Sequence, residues 1–154
     1  MSEGQPWLPE SFAAPARLDL PSGQHLRPIR AADIELDYLA VMSSQPRLWR
    51  LFGRVWGWPA ADMTREQDLA DLQRHQDEME RNVSFNYAIF DGEETELLGC
   101  VYIDPPTEDG ADAEVAWWVV DRMVGTKLEE ALEVAIPKWL RDAWPFDSPR
   151  VAAR

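Results

Sequence analysis

The sequence predicts an α/β fold, a mixed central sheet flanked by helices, with elements in the order β-α-α-β-β-β-α-β. Three observations carry that expectation. Three strand-like runs follow one another between Phe85 and Val120. Two stretches with apolar residues three and four positions apart, from Thr64 to Arg81 and from Thr126 to Ala143, bracket them. The second of these helices leads into a short strand-like stretch around Arg150 and Val151, so the end of the chain reads as a right-handed parallel crossover. A chain of 154 residues suits one domain with one core. The expected division is an irregular arm over residues 1–15, which holds Pro6, Pro9 and Pro15, and one domain over residues 16–154.

The elements follow in order. Residues 17–20 and 25–29 flank Pro21-Ser22-Gly23 and read as a short hairpin. Residues 33–42 read as a helix with Ile34, Tyr38, Val41 and Met42 near one face. Residues 45–59, with three tryptophans and two prolines, read as a connection. Thr64-Arg65-Glu66-Gln67 has the capping-box pattern, in which the first and last side chains satisfy each other's backbone amides. The stripe behind it, Leu69, Leu72, Gln76, Met79 and Val83, is apolar except at Gln76. The strands are expected at 85–90, 96–103 and 113–120, the last nearly all apolar after Glu114, as in a central strand covered on both faces. The final helix carries Pro137, where a kink or break is expected.

Composition excludes some functions. The net charge is −13, from 15 basic and 28 acidic residues. A nucleic-acid partner needs a basic face to displace counterions, so none is expected. No apolar run approaches the roughly 20 residues of a membrane helix. The first residues lack the basic-then-apolar order of a signal peptide, and the single Cys100 forms no internal disulfide. A cytoplasmic location is the expectation. The acidic field suits cationic substrates as well as solubility. Asp104, Glu108, Asp109 and Asp112 cluster around one loop without the alternation of a calcium site. No metal is expected there, but such acids suit the wall of a cleft for a cationic amine. Cys100 lies within a strand, away from His25 and His75, and reads as a buried residue. Eight tryptophans build core, pocket or interface.

Ala113-Glu114-Val115-Ala116-Trp117-Trp118-Val119-Val120 followed by Arg122-Met123-Val124-Gly125-Thr126-Lys127 resembles the fourth strand and phosphate loop of the GNAT acetyltransferase superfamily. The resemblance covers most of the chain, from Leu26 to Val151. Arg122 and Gly125 match the family's Arg/Gln-x-x-Gly-x-Gly/Ala pattern, while Lys127 replaces its last small residue. The resemblance implies acetyl-CoA as co-substrate, held by Trp118, Val119, Val120, Arg122, Val124, Gly125, Thr126 and Lys127. A glycine admits close backbone approach to an anion, and a helix start offers unpaired amides. It implies Glu114 as the general base that deprotonates an amine, and the backbone of Trp118 or Val119 as the donor that polarises the thioester carbonyl. The acceptor is then a small-molecule amine or a peptide amine. The family's usual tyrosine after the fifth strand has no counterpart among Tyr38, Tyr87 and Tyr102, and its sixth and seventh strands are not visible in the sequence. Two further readings follow: an inactive GNAT-fold module that binds a ligand or protein, and a homodimer that covers an exposed sheet edge.

Overall fold

The computed structural model describes residues 7–153. Residues 1–6 of the 1–15 arm assigned from sequence lie outside the described residues, and residues 7–15 are irregular. Trp7 stacks on Phe146 at 5.7 Å, and Leu8 is buried in the core.

Alternating side chains fold into one six-stranded sheet. Its strands are β1 (Leu18–Asp19), β2 (His25–Pro28), β3 (Phe85–Phe90), β4 (Leu97–Asp104), β5 (Ala113–Val119) and β6 (Pro149–Ala153). They lie side by side in chain order, antiparallel up to β5, with β5 and β6 parallel across the final helix. Register places Asn86 opposite Tyr102, Ala88 opposite Cys100, and Cys100 opposite Trp118. It also places Tyr102 opposite Ala116 and Asp104 opposite Glu114. Because strand side chains alternate, these residues share one face. The opposite face carries Tyr87, whose ring meets Trp139 of the last helix edge-on at 4.8 Å.

The helices are α1 (Ile34–Ser43), α2 (Gln45–Trp56), α3 (Arg65–Glu80) and α4 (Lys127–Ala143). Thr64 caps α3 as its sequence pattern predicts: its hydroxyl accepts from the Gln67 amide at 3.1 Å, and Gln67 accepts from the Thr64 amide at 2.9 Å. Gln76, the polar break in the α3 stripe, accepts from the Ala31 amide at 2.9 Å and so ties α3 to the turn before α1.

Two expectations are corrected. Residues 45–56 form α2 rather than a connection. Pro46 sits in the first helical turn, where a missing N–H costs nothing. Leu48 and Phe52, four apart, are buried, and Gly57 ends the helix at φ 63°. The proline suggested a breaker where it is a start signal. Pro137 does not break α4, which runs through it with Ile136, Trp139 and Leu140 buried on the core side.

At Gly99, opposite Val119, β4 has no room for a side chain against β5. A Cβ there would lie 2.1 Å from the Trp118 carbonyl oxygen, which is backbone and cannot rotate away. Gly99→Ala should therefore destabilise the protein by about 1–3 kcal/mol, the usual cost of overpacking. A lowered denaturant midpoint checks this, and an unchanged midpoint would show that the strands separate freely.

Candidate active site

The site begins where the sheet stops being continuous. β6 pairs with β5 from Ala113↔Pro149 to Val115↔Val151; the register then slips, so that Ala116 faces Ala153. β5 itself runs on to Val119. The Val120 amide donates to the Leu98 carbonyl at 2.9 Å, which sets the alternation of this segment. Trp118 therefore turns its backbone polar groups into the β4 ladder, while Val119 turns its own to the β6 side. The Val119 carbonyl there accepts not from a strand but from the Arg47 guanidinium of α2. Arg47 Nε also pairs with Asp121 at 2.6 Å.

The loop that follows β5 leads into α4. Asp121–Met123 form a single 3-10 turn, and Gly125 adopts φ 77°, a conformation that favours glycine. A Cβ on Gly125 would meet nothing within 4 Å, so this backbone faces open space. Thr126 caps α4 by position, but its hydroxyl donates to the Met123 carbonyl at 2.6 Å. Instead Glu129 reaches back and accepts from the Gly125 amide at 2.8 Å. One oxygen anion of the chain itself thus occupies a loop amide suited to phosphate. Arg122 pairs with Glu96 across the loop, and Val124 and Lys127 are exposed. Leu128, the next residue of α4, is buried and anchors the helix start.

A cavity of about 720 Å³ opens on the sheet face shared by Tyr102 and Trp118, between α3, the end of α2 and strands β3 and β4. Trp56, Trp58 and Tyr102 form its aromatic wall; the Trp56 and Tyr102 rings stand at 5.1 Å and 86°. Asp37, Asp68, Asp71, Glu78 and Asp104 supply its acids. Burial pushes the Asp37 carboxyl well above the usual carboxylate range, reinforced by its hydrogen bond to Asp68. Burial likewise raises Asp68, Asp71 and Asp104. A hydrogen bond between two carboxyls requires that one keep its proton, so Asp37 and Asp68 act as a proton-sharing pair. Burial and the neighbouring Arg74 lower His75 to about 4, so its imidazole is neutral at physiological pH. Trp118 Nε1 donates to the Tyr102 hydroxyl at 2.8 Å, and the Trp118 ring lies 6.3 Å from that of Trp58. Through these contacts the cavity wall connects directly to the end of β5 that runs on past its pairing with β6.

The model of the acetyltransferase (GNAT) domain matches residues 25–153. The chain belongs to the GNAT acetyltransferase family. Solved GNAT structures share its fold. The ribosomal-protein acetyltransferase RimL in complex with coenzyme A aligns with a TM-score of 0.66 at 15% identity, covering 83% of this chain and 70% of that one. RimJ of Mycobacterium smegmatis, in complex with a CoA disulfide, aligns at 0.61 and 18% identity, covering 82% and 61%. The microcin self-immunity acetyltransferase MccE, in complex with acetyl-CoA and AMP, aligns at 0.64 and 13% identity, covering 85% and 71%. The chain spans 65% of the length of ligand-free RimL. No curated protein matches its sequence.

Within this GNAT fold, the residues singled out from sequence fall in two groups. Trp118 and Val119 end β5, Val120, Arg122, Val124, Gly125 and Thr126 follow on the loop, and Lys127 opens α4. Glu114 stands at the other end of β5, where Arg150 Nη1 donates to both its oxygens at 2.9 and 3.1 Å. Of the acidic cluster over residues 104–112, only Asp104 lines the cavity. Glu108 pairs with Arg150 at 3.1 Å, and Asp112 accepts from the backbone amides of Asp147 and Ser148. Sequence reading missed Arg47, Asp37, Asp68 and Asn86, all from elements distant in the chain. The one available signal was two buried-side acids on otherwise amphipathic helices. Cys100 is buried, its Sγ 4.0 Å from Asp37, as expected of a structural thiol. No cluster of residues able to hold a metal occurs among the described residues. No helix among them is long and apolar enough to cross a membrane.

Proposed function

We propose that this GNAT protein transfers an acetyl group from acetyl-CoA directly to an amine. The observation that carries the reading is the connection from an acidic, aromatic cavity, through Tyr102 and Trp118, to the backbone of β5 that β6 leaves open. Acetyl-CoA supplies an activated thioester: the amine nitrogen forms the new bond to the carbonyl carbon, the carbon–sulfur bond breaks, and the thiolate leaves. The chain's residues serve that exchange. The Val119 amide, turned to the open side, is the proposed donor to the carbonyl oxygen, and a backbone donor in such a position is worth about 3 kcal/mol. The Gly125 loop and the first amides of α4, with Lys127 and Arg122 beside them, are the proposed seat of the pyrophosphate. Glu129 must then release the Gly125 amide.

An amine arrives protonated, with a reference pKa near 10.4 for a lysine-like group. Glu114 is the proposed base. It lies five positions from Val119 on β5, about 16 Å along an extended strand, so the proton reaches it through water. Its register partner Asp104 lines the cavity beside it. The acceptor is a small-molecule or peptide amine, a class represented among solved relatives by enzymes named for ribosomal-protein substrates.

A second reading has its own support. Glu129 fills the Gly125 amide with the chain's own carboxylate, and Arg47 caps the Val119 carbonyl beside the other proposed cofactor contact, as a binding module without catalysis would. Incubation with acetyl-CoA and a panel of amines, followed by mass spectrometry, separates the two. Transfer predicts one acetyl increment on an acceptor and stoichiometric free thiol; the module reading predicts neither.

A further inference from the structure

The cavity holds two polar atoms that its own chain leaves unanswered. Asp68 Oδ2 and Asn86 Oδ1 are buried without any hydrogen-bond partner, and both residues line the cavity at 2% and 3% exposure. Asn86 Oδ1 only accepts, and with the shared proton held by Asp37 the Asp68 oxygen accepts as well, so what completes them must donate. Water can donate, but the surroundings favour a cation. Trp56 and Trp58 each stand nearly at right angles to Tyr102, at 5.1 Å and 86° and at 6.5 Å and 82°, an aromatic corner that attracts ammonium groups.

The charges divide into stations. Arg74 sits 3.6 Å from Asp71 and 3.9 Å from Glu78 and offsets them on the rim. His75 is neutral. Two acidic stations remain uncompensated by any cation: the Asp37–Asp68 pair on α1 and α3, and Asp104 at the end of β4. Ser84, the hydroxyl partner of Asp104, brings no charge. Tyr102, on β4 two residues before Asp104, lies between the stations.

We infer that the cavity binds a small acceptor carrying two amines, a diamine or polyamine. One ammonium is anchored at Asp68 and Asn86 under the aromatic corner, and the other lies toward Asp104. This rests on the acetyltransferase reading for the role of the bound molecule, though not for its binding. A monoamine or a peptide N-terminus fills only one station.

Calorimetry on the folded wild-type protein, with coenzyme A present and absent, tests this with putrescine, spermidine and n-butylamine as probes. Putrescine and spermidine should bind at least about tenfold tighter than butylamine, the equivalent of one added charge contact. Asp68→Asn, which keeps shape and removes charge, should reduce diamine affinity on the order of tenfold and leave coenzyme A affinity unchanged. Trp58→Leu, in the aromatic wall, should act in the same way and serves if the first variant fails to fold. Equal affinity for diamine and butylamine, or unchanged diamine affinity in both variants, overturns the inference. A diamine that binds selectively and is never acetylated leaves it standing and overturns the transfer reading. Acetylation of monoamines or peptides with no preference for diamines does the reverse.

Discussion

Glu114→Gln should slow acetyl transfer at neutral pH by about a hundredfold and leave acetyl-CoA affinity unchanged. The charge on Glu114 is the only property the substitution removes, and a proton acceptor needs that charge. The loss should shrink as pH rises, because more amine then arrives already deprotonated. The ion pair with Arg150 offers a competing role, anchoring β6 against β5. If anchoring were all that Glu114 does, Glu114→Gln and Arg150→Met would lower thermal stability alike and leave the rate alone. If Glu114 is the base, only Glu114→Gln slows transfer. Asp104→Asn completes the comparison: a hundredfold loss there with a normal rate in Glu114→Gln moves the base to the cavity wall.

Much of this fold was legible from local chemistry. The capping box at Thr64 and the alternation of β3 act over a few residues, so sequence shows them directly. The parallel pairing of β6 follows from the handedness of a strand-helix-strand unit. The α2 helix was hidden because Pro46 and the tryptophans mimic a connection, and its helical character rests on burial of Leu48 and Phe52 against the sheet. The proposed cofactor edge is a contiguous run from Trp118 to Lys127, so its residues can be named from sequence alone. The cavity was not, because Asp37, Asp68, Asn86 and Asp104 come from four elements and meet only once α1 and α3 pack on β3 and β4. Sequence also offered Asp112 and Glu108 as cleft acids, whereas backbone amides and Arg150 use them.

Gly125→Trp should abolish measurable acetyl-CoA binding while the protein stays folded. Two effects add. The substitution forces a bulky residue into φ 77°, a region that costs L-residues roughly 1–2 kcal/mol. It also places an indole in the open space over the loop amides, where phosphate oxygens need to come within hydrogen-bond distance. Nothing of the chain lies within 4 Å of a Cβ there, so the fold itself has room for the new side chain. Loss of binding in a folded variant therefore reports the ligand's path and not a collapsed core. Retained affinity in calorimetry would remove Gly125 from the cofactor site.

The proposed seat of acetyl-CoA is the opening between β5 and β6, with its phosphates over the α4 start. An NMR titration of the labelled protein with acetyl-CoA tests that location most directly. The Val119 and Gly125 backbone amides should show the largest shifts. The Arg47 side-chain signals should move with them as the guanidinium gives up the Val119 carbonyl. Saturating acetyl-CoA that leaves Val119 and Gly125 unmoved, or that shifts only residues remote from β5 and the α4 start, would contradict it.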